Sequence, residues 1–332
     1  MDFTSKFLGL TLKNPLVPSA SPLSHSIDMA RQLEDAGAAA LVMYSLFEEA
    51  VSREEESMVH FLHHQEIGFG EAQDFLPAHI DFDNALDLYL ENLRQLKQAL
   101  DIPVVASLNG ITPGGWIEHA TTLEKEGADA LELNVYYLPN NVETSSDEVE
   151  RRYLELLTEL RGKVKIPINM KLSPYFSALG HTIKAIEAAG ANGVALFNRF
   201  YQPDIDIDSL RLNHRLHLSS SAEHLLSMHW IAILHGHTDL TLGATSGVHN
   251  TEDALKMLLA GADVVHLCSA LLKRGPVVLG EILAGMEAWM EEKGFESIEE
   301  FQGMMSQRSV ADPGVYERIN YMKSLDSFGW KG

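Results

Sequence analysis

Apolar positions along this chain fall into short unbroken runs, separated by segments with a different period. Eight such runs predict strands: "LVPSAS" (16–21), "ALVMYS" (40–45), "PVVASLNG" (103–110), "ALELNVY" (130–136), "PINMKLS" (167–173), "GVALFN" (193–198), "LTLGATSG" (240–247) and "DVVHLCSA" (263–270). They are apolar at consecutive rather than alternate positions, as expected of parallel strands buried on both faces. The intervening "WIEHATTLEKEGA" and "HTIKAIEAAGA" place apolar residues at i, i+3 and i+4 and run into glycine, which predicts helices that stop just ahead of the next strand. Eight strand–helix units in succession predict an α/β fold of the (β/α)8 TIM-barrel type. A doubly wound sheet is the competing arrangement, but no Gly-x-Gly-x-x-Gly follows the first strand.

An N-terminal extension precedes the first strand, and the connections at 46–84, 138–150 and 199–226 are longer than a barrel requires. Each follows the carboxyl end of a strand, the face on which barrels build their sites, and loops of that length act as lids or binding segments. The tail "GFESIEEFQGMMS" (294–306) predicts a last helix. With no linker, repeat or low-complexity tract, residues 1–332 are expected to form one domain.

Composition narrows the function classes. The net charge of −22, from 25 basic and 47 acidic residues, disfavours nucleic acid and anionic lipid as partners. A single cysteine, Cys268, excludes an internal disulfide framework and a Cys-rich metal site. No apolar run reaches the roughly 18 residues of a membrane span, and the first residues lack a signal-peptide core. A cytoplasmic protein is the expectation.

Polar residues gather at the predicted strand ends: Ser21, Asn109, Asn134, Lys171, Asn198, Ser246 and Ser269. Lys171, in "INMKLSP", ends an apolar strand. It can serve as a fixed cation in the barrel mouth, form a Schiff base, or simply snorkel to solvent. "GATSGV" (243–248) and "HLCSALLKRG" (266–275) close the last two strands with small residues that let backbone N–H groups approach a phosphate. The pairs His63-His64 and His235-x-His237 lack carboxylates at ligand spacing and are expected to be solvated, so no metal is expected. The acidic run "EEAVSREEES" (48–57) predicts a charged helix face, and Ser219-Ser220-Ser221 a mobile loop without a nucleophile elbow.

Taken in order, these segments resemble the dihydroorotate dehydrogenases, FMN-dependent barrels of pyrimidine biosynthesis. "LGLTLKNPLVPSAS" resembles the family's opening, "LELNVYYLPN" its catalytic loop and "INMKLSP" its lysine strand. "GATSGVHNTEDALKMLLAGADVVHLCSALLKRGP" resembles its phosphate-binding close. The resemblance implies FMN across the barrel mouth, with Ala20, Ser21 and Tyr44 at the flavin edge. It implies Asn109, Asn134, Lys171 and Asn198 around the ring, and Ser246, Gly247, Cys268 and Ser269 at the phosphate. It also implies hydride transfer between substrate and flavin N5, with a Cys or Ser in the catalytic loop taking the neighbouring proton.

That base is replaced here. Tyr137 stands at its position, and tyrosine side chains titrate at about 10, far from an ideal base at neutral pH. Tyr44 stands where many members have lysine, the family's Asn-x-Met-Gly-Leu segment is missing, and Arg199 follows Asn198 where a small residue is usual. Tyr137 and Lys171 are therefore the expected catalytic residues, and Asn140, Asn198 and Arg199 the expected substrate contacts. The expected partners are a small anionic substrate and a soluble electron acceptor, with a homodimer as the assembly in view. Two other functions stay open: a flavin-binding barrel without dehydrogenase activity, acting as subunit or sensor, and an aldolase-like barrel working through Lys171.

Overall fold

The computed structural model describes residues 1–48, 51, 85–110, 113–135, 137–199, 202–213, 216–317 and 319–327. In chain order, the strands are β1 (Ser5–Phe7), β2 (Leu10–Leu12), β3 (Leu16–Pro18), β4 (Leu41–Phe47), β5 (Val104–Asn109), β6 (Ala130–Asn134), β7 (Ile168–Leu172), β8 (Gly193–Leu196), β9 (Asp204–Asp206), β10 (Arg211–Asn213), β11 (Thr241–Ala244) and β12 (Val264–Leu267). The helices are α1 (Ile27–Asp35), α2 (Ala85–Ala99), α3 (Pro113–Lys125), α4 (Ser146–Arg161), α5 (Leu179–Ala188), α6 (His224–Leu234), α7 (Thr251–Ala260), α8 (Ser269–Arg274), α9 (Val277–Lys293) and α10 (Ile319–Ser327).

Eight strands form one parallel sheet in the order β3-β12-β11-β8-β7-β6-β5-β4, and all eight predicted runs are in it. Its edges meet where Ala39 N donates to Leu16 O at 3.0 Å, giving the expected (β/α)8 barrel, nearly closed. Both faces of these strands are covered: β6 and β7 are buried at every residue, because helices pack outside and side chains fill the inside. The helices begin where the chain supplies caps. Ser145 Oγ accepts from Glu148 N while Glu148 returns a carboxylate to Ser145 N, a reciprocal pair that starts α4. Asn250 caps α7 in one direction, its Oδ1 accepting from Asp253 N.

The N-terminal extension is a hairpin, β1–β2, that plugs the amino-terminal end of the barrel. Phe7, Leu8 and Leu12 are buried against Val17, Val42, Val105, Ala130 and Val264. Leu8 N donates to Thr241 Oγ1 at 3.0 Å, and a Cβ on Gly193 would stand 2.6 Å from Leu8 Cδ2, so β8 is glycine where the plug rests on it.

Two expectations are corrected. Segment 294–306 is a series of turns, not a helix. Gly294 and Gly303 adopt left-handed φ of 77° and 70°, and the backbone bonds outward instead, from Gly303 N to Leu258 O and Met305 N to Leu259 O. His235 is only partly exposed, its ring wedged between Gly261 and Gly303, where a Cβ on Gly303 would lie 2.1 Å from Nε2, while His237 is exposed as expected. The long insertion at 199–226 contains the antiparallel pair β9–β10, which its mixed polarity did not announce. Most of the 46–84 insertion, with the acidic run beyond residue 51 and His63-His64, lies outside the described residues.

Because the plug is anchored by a fully buried aromatic ring, Phe7→Ala is expected to destabilise the protein by about 3 kcal/mol. A lowered denaturant midpoint with an unchanged slope would show it.

Candidate active site

The strand register sets two tiers of polar side chains near the carboxyl ends of neighbouring strands. Ser45, Ser107, Glu132 and Asn169 are successive register partners across β4 to β7, and Asn109, Asn134 and Lys171 are successive partners one step higher, across β5 to β7. In-register residues point to the same side of a sheet. The tiers are bonded within and between themselves: Ser45 and Ser107 share a hydrogen bond of 2.9 Å, and Asn169 Nδ2 donates to Glu132 Oε2 at 3.3 Å. Lys171 Nζ reaches Glu132 Oε1 at 3.4 Å and Ser19 Oγ at 3.4 Å.

Above the tiers opens a cavity of about 620 Å³. Ala20, Ser21, Tyr44, Asn109, Asn134, Lys171, Asn198, Ser246, Gly247, Cys268 and Ser269 all line it, as does Arg199. Asn198 Nδ2 donates to Asn134 Oδ1 at 2.8 Å and ties the ends of β6 and β8 together. Lys171 is 7% exposed and Glu132 wholly buried, so the ion pair spans the cavity floor. His266 lies in the same interior, edge-on to Phe7 of the plug at 5.7 Å. Neither of its ring nitrogens has a hydrogen-bond partner among the described residues. Burial drives its pKa down to about 4, opposed by Glu132 and reinforced by Lys171, so the imidazole is neutral.

At one end of the cavity the chain turns through Ser246 and Gly247 with φ of 75° and 79°. Ser246 Oγ donates to Phe197 O at 3.2 Å. Gly247 must be glycine on two counts, since a Cβ there would stand 2.2 Å from His224 N at the start of α6. Ser219 borders this end and is far from mobile. Its N donates to Ser269 Oγ at 3.0 Å, its carbonyl accepts from Lys273 Nζ at 2.7 Å and its hydroxyl bonds His249 Nε2 at 3.1 Å. Ser220 and Glu223 cap the turn reciprocally, and Ser221 Oγ donates to Asp253 Oδ2 at 2.8 Å. The expected mobile triplet is a pinned turn because each serine satisfies a neighbouring polar group. The Cys268 thiol nearby is pushed up by burial, against the pull of Lys171 and Arg199.

At the other end, Tyr44 stacks on His25 with ring centroids 3.6 Å apart and meets the edge of Tyr89 at 4.9 Å. Tyr89 OH accepts from Ser107 N at 2.8 Å, so the tier beneath and the aromatic stack above are one assembly. Burial raises the Tyr44 phenol. Back on the Ser246–Gly247 side, Arg199 donates through Nε and Nη2 to Glu223 Oε2 at 3.1 and 3.0 Å, and through Nη1 to His217 O.

Two expected site residues are not among those lining the cavity. The Tyr137 ring lies under the Arg152 guanidinium, 4.7 Å from its centroid, and packs half-buried on the core. Asn140 is exposed in the loop beyond it. Conversely, Glu132, His25 and His266 were not singled out in the sequence. The alternation of side chains along a strand carried a signal for two of them: Glu132 is two residues before Asn134, and His266 two before Cys268. Among the described residues no cluster of His, Cys, Asp and Glu could hold a metal, and no helix is long and apolar enough to cross a membrane.

The dihydroorotate dehydrogenase family model matches residues 78–290. An Aeropyrum pernix protein named for dihydroorotate dehydrogenase A (fumarate) is 31% identical over 217 residues, 64% of this chain and 70% of the relative. The catalytic subunit of dihydroorotate dehydrogenase B (NAD(+)) from Thermoplasma volcanium is 26% identical, covering 92% of this chain and 99% of its own length. PreA, a subunit of the NAD-dependent dihydropyrimidine dehydrogenase of Escherichia coli, is 23% identical over 98% of this chain and 83% of its own. Dihydroorotate dehydrogenases are FMN flavoproteins, and the cavity fits that cofactor. Its volume is within the range of about 300–1,000 Å³ for such sites. A buried cation and three amides face it, a glycine turn lets backbone come close at one end, and the orphaned His266 nitrogens border it.

The neutral burial of His266 has a consequence for stability. In the unfolded chain the ring titrates near 6.5 and in the fold near 4, so acid protonates the unfolded state first. Stability contributed by this group is complete above pH 6.5 and is lost as pH falls toward 4, on the order of 3 kcal/mol. His266→Gln is expected to flatten that part of the pH–stability curve, measured by denaturant unfolding at pH 7, 5.5 and 4.5.

Proposed function

This chain belongs to the dihydroorotate dehydrogenase family, and from that premise we propose that it is an FMN-dependent oxidoreductase acting on a small, anionic, carbonyl-containing molecule. The observation that carries the reading is the buried Lys171 beneath a cavity ringed by Asn109, Asn134 and Asn198. FMN bound there would supply hydride exchange with the substrate. Lys171 and the three amides would hold the polar edge of its ring, and Ser246, Gly247, Cys268 and Ser269 its phosphate, largely through backbone N–H groups. Glu132 keeps the Lys171 ammonium at the floor, where its charge would offset negative charge on a bound ring. Tyr44 would close the flavin edge, and Arg199 would grip the substrate's carboxylate.

A hydride leaving one carbon requires a proton to leave its neighbour. Of the ionisable side chains on the wall, burial lowers the His266 pKa to about 4 and so makes it a weak base, and it pushes the Cys268 thiol up, away from the thiolate a base requires. Imidazole is the side chain suited to proton exchange at neutral pH, and His25 carries one into the cavity against Tyr44. His25 is therefore the proton partner in this reading, and Tyr137 packs its loop through Arg152.

The purified protein is expected to show flavin absorbance bands that bleach slowly when dihydroorotate is added without oxygen. His25→Ala should slow bleaching by about 10²-fold, the contribution of one acid–base group, while Tyr137→Phe leaves it within about twofold. The reverse pattern returns the proton to Tyr137. Bands that never bleach retire dihydroorotate, and a protein that takes up no FMN while borohydride traps a carbonyl substrate on Lys171 replaces the flavin reading with Schiff-base chemistry.

A further inference from the structure

A second cavity, of about 500 Å³, adjoins the first. Phe197, Asn198, Arg199, Thr245 and Ser246 are walls of both, so among the described residues the side chains that follow β8 and β11 divide the two. Its far side is Pro174 and Tyr175 from the loop after β7, and Leu225 and Leu226 from the first turn of α6. Three of these are large apolar side chains left open to solvent: Tyr175 is 63% exposed, Leu225 55% and Leu226 49%. The α6 sequence, HLLSMHWIAIL, is apolar on nearly every side, a pattern that calls for cover all round. Burial is supplied to Ile231, Ala232 and Leu234 but not to the two leucines facing the cavity.

Arg199 stands at the junction. Its partner Glu223 is also a wall of the second cavity, and both side chains of the pair are partly exposed. An ion pair in that position contributes little and exchanges readily for another carboxylate. A single dihydropyrimidine ring would occupy the first cavity and leave the second filled with water over exposed leucines.

We propose that the two cavities form one divided site, and that the substrate is an organic carboxylate bearing an apolar extension. Arg199 takes the carboxylate from Glu223 at the junction, and the extension lies over Tyr175, Leu225 and Leu226. The claim rests on the oxidoreductase reading for the reacting end of the molecule, whereas the subsite itself depends only on the shape and chemistry of the wall.

Calorimetric titration tests it with butanoate, 4-phenylbutanoate and uncharged 4-phenylbutanamide, on the protein as isolated and after FMN removal. 4-Phenylbutanoate is expected to bind at least tenfold more tightly than butanoate, and the amide at least tenfold less tightly than 4-phenylbutanoate. Arg199→Gln should bring acid and amide together. Leu226→Ser, and independently Tyr175→Ser on a different loop, should reduce 4-phenylbutanoate to the level of butanoate without weakening butanoate. Equal affinity across the series, or a series that neither substitution alters, overturns the proposal. So does a Leu226→Ser protein whose only change is a smaller assembly in size-exclusion chromatography, because the leucines would then cover a second copy of the chain. Binding heat needs no redox step, so a flat series on a yellow, reducible protein removes the subsite alone. A graded series on a protein that never takes up flavin removes the oxidoreductase reading alone.

Discussion

The pairing of Lys171 with Glu132 is the constraint around which the upper barrel is arranged. Either charge alone in that interior would carry a desolvation penalty of several kcal/mol, and mutual attraction offsets it only when the remaining polar atoms are also satisfied. Asn169 bonds Glu132 and Ser19 bonds Lys171, so the pair draws β6, β7 and the segment after β3 into one network. His266, left neutral in the same interior, adds no third charge to a pair that already balances. The aromatic stack rests on the neighbouring tier through Tyr89 and Ser107. A barrel filled only with branched aliphatic residues would be simpler to stabilise, and it would have nothing with which to hold a polar ring.

What could be read from the sequence follows from which forces are local. All eight barrel strands were legible because burial on both faces writes an unbroken apolar run, and the helices between them because one-sided burial writes a 3.6-residue period. The polar strand ends were legible as a set, and the ones that stood out lie along one cavity. Glu132 and His266 were passed over because they sit inside apolar runs, where strand parity distinguishes an inward polar residue only once the register is known. Tail segment 294–306 reads as helical, but its glycines and its bonds to α7 are long-range facts that no local period encodes. Tyr137 illustrates a different limit. Chain order puts it after β6, but its ring packs on the core beneath Arg152, fifteen residues away on α4, a contact that no local period encodes.

The two sides of the cavity differ in how they are built. The Ser246–Gly247 end is a set of tight contacts in which that turn, the start of α6 and the Ser219 turn fix one another, leaving little room for variation. The opposite end is made of Tyr44 from β4 and His25 from the turn after β3, stacked on each other. Arg199 is tied instead to the pinned end, through Glu223, which caps the Ser220 turn. Tyr44 and Arg199 are two of the positions where this chain departs from the pattern it resembles.

The hairpin that plugs the amino-terminal end also bears on access. Among the described residues, Phe7 and Leu8 fill that end of the barrel, and the cavity opens at the opposite mouth. In the oxidoreductase proposed above, a donor and a small acceptor that both needed the floor would share one doorway, and the oxidised donor would leave before the acceptor entered. The order of events would then be set by architecture before any rate constant is considered.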